Sequence, residues 1–141
     1  MLWQGCIGGV CWSYFVGDIS DLEVQHYFDH LGCHPNTLHL TIAFHGGIMS
    51  HEQMQWLADI LQEGETFIQP KAHALALETR KHRAALAVLN DLLKKPYPER
   101  AFGSPRRALE WLATIWPINP EPIWEAIADS VPAEHLWEYN G

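Results

Sequence analysis

The sequence predicts a single small α/β domain, built on a mixed sheet of about four to five strands with about four helices. Three observations carry this. Thr37 to Gly47, TLHLTIAFHGG, alternates Leu38, Leu40, Ile42 and Phe44 with His39, Thr41, Ala43 and His45, the period of a strand. A helix signal follows at Ser50, where Gln53 completes a capping box. A second strand-like run, Ala72 to Leu77, is again followed by a helical pattern.

Taken in order, residues 6–17, CIGGVCWSYFVG, read as a first strand with bulky residues on both faces and Gly8-Gly9 as a bulge or turn. These glycines open the strand, whereas a dinucleotide-binding loop needs them after it. Ser20 and Glu23 form the capping box of the first helix. Its inner face is Val24, Tyr27, Phe28 and Leu31, and Gly32 and Pro35 are expected to stop it. The second helix buries Met54, Leu57, Ala58 and Leu61, widened by Trp56 and Ile60, and closes at Gly64 or Pro70 after a connection over 65–70. In the next strand Ala72, Ala74 and Ala76 share a face that lets a helix approach closely, and His73, Leu75 and Leu77 share the other. Thr79 caps a third helix, Arg80 to Lys94, with Ala85, Val88, Leu89 and Leu92 inward. A short strand near Glu99 to Phe102 precedes a fourth helix, with Ser104 as cap and Pro105 at the first helical position. Beyond Pro117 the chain is rich in Pro, Trp and acids, and Pro122 opens a short helix through Ile123, Trp124 and Ile127. The division expected is a core over 1–116 and a tail over 117–141 that packs on the core or on a second subunit.

The chain has 141 residues and a net charge of −8, and the charge is segregated. Residues 1–70 carry eight acids and no Lys or Arg; 71–107 carry nine bases and three acids; 108–141 carry six acids. A basic middle between acidic ends suits internal complementarity or a protein partner, a second copy included. Overall acidity argues against nucleic acid. No apolar stretch has the length of a membrane span, and the N-terminal stretch lacks the basic region of a signal peptide, so a cytoplasmic location is expected. Cys6, Cys11 and Cys33 are odd in number, and Cys6 and Cys11 miss the commonest zinc-knuckle spacing, so buried free thiols are expected.

From Tyr97 to Leu112, YPERAFGSPRRALEWL, the pattern of Arg100, Phe102, Ser104, Ala108, Leu109, Trp111 and Leu112 resembles the end of SpoIIAA-like (STAS-like) domains. With the strand and helix order, the resemblance covers residues 6–116. It implies a regulatory or adaptor domain that works by protein contacts; the residues themselves show no catalytic signature, and no cofactor is expected. Family members carry a phosphorylated Ser at the start of the second helix, within Asp-Ser-x-Gly. Ser50 stands at that place in GGIMSHEQ, without the Asp or the Gly, as a candidate phosphosite or anion site.

Two further readings come from the residues. Near the carboxyl ends of parallel strands, His45, Ser50, Glu78, Thr79, Arg80 and Arg83 mark a candidate cleft for an anion or small ligand. No nucleophile elbow supports catalysis by His45 and Ser50. His26, His30 and His34, spaced by four, with Cys33, are the candidate metal ligands. The expected helix stop at Gly32 would separate His34 from the others. A small-ligand carrier is a third reading, from the aromatic content and the basic middle. The candidate interaction surface is Arg106, Arg107, Trp116, Trp124 and Trp137.

Overall fold

A computed structural model describes residues 1–34, 36–46, 49–62, 70–93 and 95–140, with the backbone alone for Cys33, 60–62, Leu89, Asn90, Leu92 and Leu93. Pro35 and Gly64 as helix stops, Gly47 as the strand end, the connection over 65–69 and Lys94 as a helix end lie outside the described residues. So do the inward side chains expected for Ile60, Leu61, Leu89 and Leu92.

The sheet has five strands in the order β1-β2-β3-β4-β5. They are Leu2–Ile7, Val10–Val16, Leu38–Phe44, Ala72–Leu77 and Glu99–Phe102. β1 runs antiparallel to β2, and β2 to β5 are parallel. Helices α1 (Asp21–Cys33), α2 (His51–Gln62) and α3 (Arg80–Leu93) connect the parallel strands, and α4 (Pro105–Ile115) and α5 (Pro120–Ser130) follow. This is the small α/β domain that the strand and helix alternation predicts.

Period-two alternation splits the sheet into two faces. Val10, Trp12, Tyr14, Leu38, Leu40, Ile42, Ala72, Ala74 and Ala76 pack against Ala108, Leu109 and Leu112 of α4 and Ile123 and Ile127 of α5. The alanine column on β4 permits this close seat, and Leu109 and Leu112 are both 0% exposed. On the opposite face Phe15 packs with Val24, Tyr27, Phe28 and Leu31 of α1, and Leu75 and Leu77 pack with Leu86 of α3. The result is three layers: α1 to α3, the sheet, then α4 and α5.

Four local signals give the structures they imply. Glu23 N–H donates to Ser20 Oγ (3.1 Å) and Ser20 N–H to Glu23 Oε1 (3.0 Å), closing the box at α1. Ser50 and Gln53 do the same at α2, at 3.1 and 2.9 Å. His82 N–H donates to Thr79 Oγ1 at α3, and Arg107 N–H to Ser104 Oγ at α4.

Three differ. The N-terminal stretch forms two strands: Gly8 (φ 58°) and Gly9 (φ 84°) make a two-residue hairpin turn, which needs positive φ at both positions. Gly5 leaves β1 little alternation to read, because the Trp12 indole fills the space of a side chain there and would lie 2.9 Å from a Cβ at that position. Helix α1 passes through Gly32 to Cys33, and His34 is its C-cap. A helical glycine costs about 1 kcal/mol against alanine, and burial of Leu31 in the cluster with Phe15, Tyr27 and Phe28 offsets it in the last turn; the left-handed residue that reverses the chain is Asn36 (φ 59°). Helix α5 opens at Pro120, earlier than Pro122.

The tail is part of the core. Ile123, Ile127, Val131 and Trp137 belong to the same buried cluster as the sheet residues. Tyr14, buried in β2, donates its hydroxyl to the His135 carbonyl (2.8 Å) and accepts from Trp137 N–H (2.7 Å).

Candidate metal centre

The hairpin brings Cys6 opposite Cys11 in register, with Cα atoms 4.1 Å apart, and a disulfide joins them. The free-thiol expectation is corrected here: the Gly-Gly turn faces the two cysteines on paired strands. Because α1 continues past Gly32, His30 and His34 lie one turn apart on the same face, with ring centroids 5.0 Å apart. That face meets the hairpin, and His30 Nε2 stands 3.9 Å from Cys6 Sγ. One ligand atom from each of Cys6, Cys11, His30 and His34 lies within 4.8 Å of every other.

The histidine–sulfur spacing suits a tetrahedral metal once the Cys6–Cys11 bond is reduced and the two sulfurs move apart to about 3.8 Å. Zn–S of about 2.3 Å and Zn–N of about 2.0–2.1 Å give a tetrahedral S···N edge of about 3.6 Å. The His30–Cys6 separation of 3.9 Å is close to that edge. Burial, then the neighbouring His34, push the His30 imidazole below its ordinary pKa, and a hydrogen bond with the Gly5 backbone opposes them. The net effect favours the neutral ring that a metal requires. Cys6 is solvent-exposed and Cys11 is 1% exposed, so the site sits at the surface with one sulfur inside.

Of the sequence-predicted ligands, His30 and His34 are brought together. His26 is exposed and belongs to no ligand group among the described residues, and the Cys33 side chain lies outside them. Cys6 and Cys11 were not among the expected ligands. The signal was present: C-x4-C followed by H-x3-H falls within the spacing of two-cysteine, two-histidine zinc sites.

A second polar group lies on the same face of the sheet. Cross-strand register sets Cys11, His39, His73 and Glu99 side by side, each at or near the start of its strand. His73 Nδ1 lies 2.8 Å from Glu99 Oε2, and Lys95 Nζ lies 2.6 Å from Glu99 Oε1. On its other side, His73 Nε2 is 2.7 Å from Thr41 Oγ1, which is 2.7 Å from the Tyr27 hydroxyl of α1. Burial alone would raise the Glu99 carboxyl, but the His73 hydrogen bond and charge, with Lys95, outweigh it and hold it down at about 2. Thr41, His73 and Glu99 line a cavity of about 130 Å³ together with Phe15, Met54 and Leu86.

His39 sits between the two groups. It is 1% exposed, and burial first, then His73 and His30, push its imidazole down to about 3. A histidine held neutral in the folded state gains a proton on unfolding once the pH falls below its unfolded value near 6.5. The folded state therefore loses stability as pH falls from about 6.5 toward about 3, by about 1.4 kcal/mol per unit. Urea unfolding of the protein and of His39→Gln at pH 7.5 and 4.5 reads this. The protein is expected to lose about 2.7 kcal/mol more than the variant over that interval; equal losses would show that His39 protonates in the folded state.

At the carboxyl edge, the expected cleft residues mostly satisfy backbone ends. His45 N–H donates to Glu78 Oε2 (2.9 Å), and Arg83 Nη1 donates to the Leu77 carbonyl (2.7 Å). Thr79 and Ser50 are caps, and Arg80 is exposed. On the candidate interaction surface, Arg106 and Arg107 are exposed, and Arg106 lies 3.8 Å from Glu110. Trp116 is 47% exposed with Lys71 Nζ over its ring, and Trp124 stacks on Tyr139. Trp137 is 6% exposed and stacks on Phe44, which removes it from that surface.

No helix among the described residues is long and apolar enough to cross a membrane. Comparison with protein-family models, with curated proteins and with solved structures finds no match to the chain.

Proposed function

We propose that this chain is a zinc-binding domain in which Cys6, Cys11, His30 and His34 clamp the N-terminal hairpin to α1, and that it acts through protein contacts rather than catalysis. The convergence of four ligand atoms within 4.8 Å carries this reading. Four protein ligands leave a tetrahedral ion no open position, which is the arrangement of a structural site. Zinc is preferred over harder cations because two sulfurs and two imidazoles make a soft, tetrahedral donor set. What supports the contact role is the SpoIIAA-like resemblance together with exposed Ile115 and Trp116 at the end of α4. Sedimentation of untagged protein bears on that half, and a monomer that captures no partner would count against it.

The metal half is tested on untagged, fully reduced protein. One zinc ion per chain is expected, and His30→Ala or His34→Ala should abolish stoichiometric uptake. An ion that binds only the folded state stabilises it by about 2.7 kcal/mol at a hundredfold excess over Kd. For a domain of this size that is a Tm rise of roughly 8–12 °C. Reduced protein that takes up no zinc and gains nothing in Tm would overturn the reading.

A further inference from the structure

We infer that Cys6, Cys11, His30 and His34 form a redox-gated metal site, in which the two sulfurs serve either as thiolate ligands or as the Cys6–Cys11 disulfide. This rests on the metal reading above and adds its regulation. The two states exclude each other. Sulfurs joined to one another cannot both ligate an ion as thiolates, yet His30 and His34 remain turned toward them, with His30 Nε2 3.9 Å from Cys6 Sγ. The histidines contribute nothing to a disulfide, and the disulfide closes the sulfurs to a metal.

The disulfide is also poorly placed as a structural brace. It spans a sequence separation of only five, within a hairpin whose register is already fixed by six strand pairs and the Gly8-Gly9 turn. Closing so short a loop removes less freedom from the unfolded chain than a long-range bond would. Access is asymmetric in the way exchange chemistry needs: Cys6 is exposed and Cys11 is 1% exposed.

The step balances with a small-molecule disulfide as oxidant. The Cys6 thiolate attacks one sulfur of that disulfide, forms a mixed disulfide and expels the first thiolate. The Cys11 thiolate then attacks Cys6 Sγ, closes the Cys6–Cys11 bond and expels the second. Two electrons pass from the cysteine pair to the oxidant. The zinc ion leaves with its charge unchanged, and the tie between hairpin and α1 is lost. Excess thiol runs the step backward and restores the ligands.

The test uses reduced, zinc-loaded, untagged protein, both as the full chain and as Cys33→Ser, which removes the third thiol. Glutathione disulfide is titrated in. A chromogenic chelator reads released zinc, and mass spectrometry with peptide mapping reads the cysteine linkage. The expected result is one zinc released per chain as the Cys6–Cys11 linkage forms, with recovery on adding thiol. Cys6→Ser should form no linkage. Peptide mapping of the full chain locates the bond even if Cys33→Ser does not fold. Zinc that stays bound after the linkage has formed, or zinc-loaded protein that forms none in excess oxidant, overturns the gate and leaves metal binding standing. Reduced protein that takes up no zinc overturns both.

Discussion

Glu99→Ala is expected to destabilise the fold by about 3–5 kcal/mol, the cost of removing one partner from a buried ion pair. The Glu99 side chain is 3% exposed and holds two groups that are nearly as deep, Lys95 at 8% and His73 at 9%. Removing it strands an ammonium with no acceptor at 2.6 Å and a ring nitrogen with none at 2.8 Å. The loss then passes along His73 to Thr41 and to Tyr27, which carries α1 onto the sheet. Domains of ordinary stability have only about 5–15 kcal/mol in hand, so the variant should approach the unfolding threshold. Urea midpoints at constant slope measure the effect. Lys95→Met with Glu99→Leu removes both charges and should return most of the loss, because neither ion is then left without its partner. A single replacement costing under about 1 kcal/mol would mean that Lys95 reaches water in the folded state, as exposed pairs do.

That buried row shows what a sequence can and cannot carry. Alternation alone assigns His39 and Thr41 to one face of their strand and His73 to one face of the next. It does not say that the two faces are the same, nor that register aligns His39 with His73 and His73 with Glu99. Register comes from packing between strands, which a local pattern does not encode. At the carboxyl edge, where open parallel sheets usually place ligands, Ser50, Thr79 and Ser104 are caps and Arg83 donates to the Leu77 carbonyl. Helix starts were legible there because a cap is a local signal. The metal group was half legible. The four-residue spacing of His30 and His34 is plain in the sequence, but a glycine between them suggested a stop, and only the tertiary seat of Leu31 carries the helix through it. Cys6 and Cys11 face each other because an edge strand exists, and that strand, interrupted by Gly5, lacks the alternation that would announce it.

Trp137→Ala is expected to cost about 3–5 kcal/mol, the range for deleting a buried tryptophan. The prediction separates two ideas of the acidic tail, an appendage beyond a finished domain or a part of the core. An appendage would expose its aromatics, as Trp116 does at 47%. Trp137 is 6% exposed, stacks on Phe44 at 5.4 Å, and joins the cluster that contains Leu109, Leu112 and Ile127. Its backbone N–H also donates to Tyr14 Oη at 2.7 Å, and the same hydroxyl donates to the His135 carbonyl, so one buried phenol fixes the tail at two points. Truncation leaves a cavity beside β3, where the sheet and α4 are already packed too tightly to collapse into it. Trp116→Ala is the matched control. Its ring meets Lys71 at 3.3 Å on the surface, a contact worth about 0.5–1 kcal/mol at exposed sites. Urea midpoints for the two variants should therefore differ several-fold in free energy. Equal and small effects would make the tail an appendage and leave the α4 face of the sheet in need of another cover.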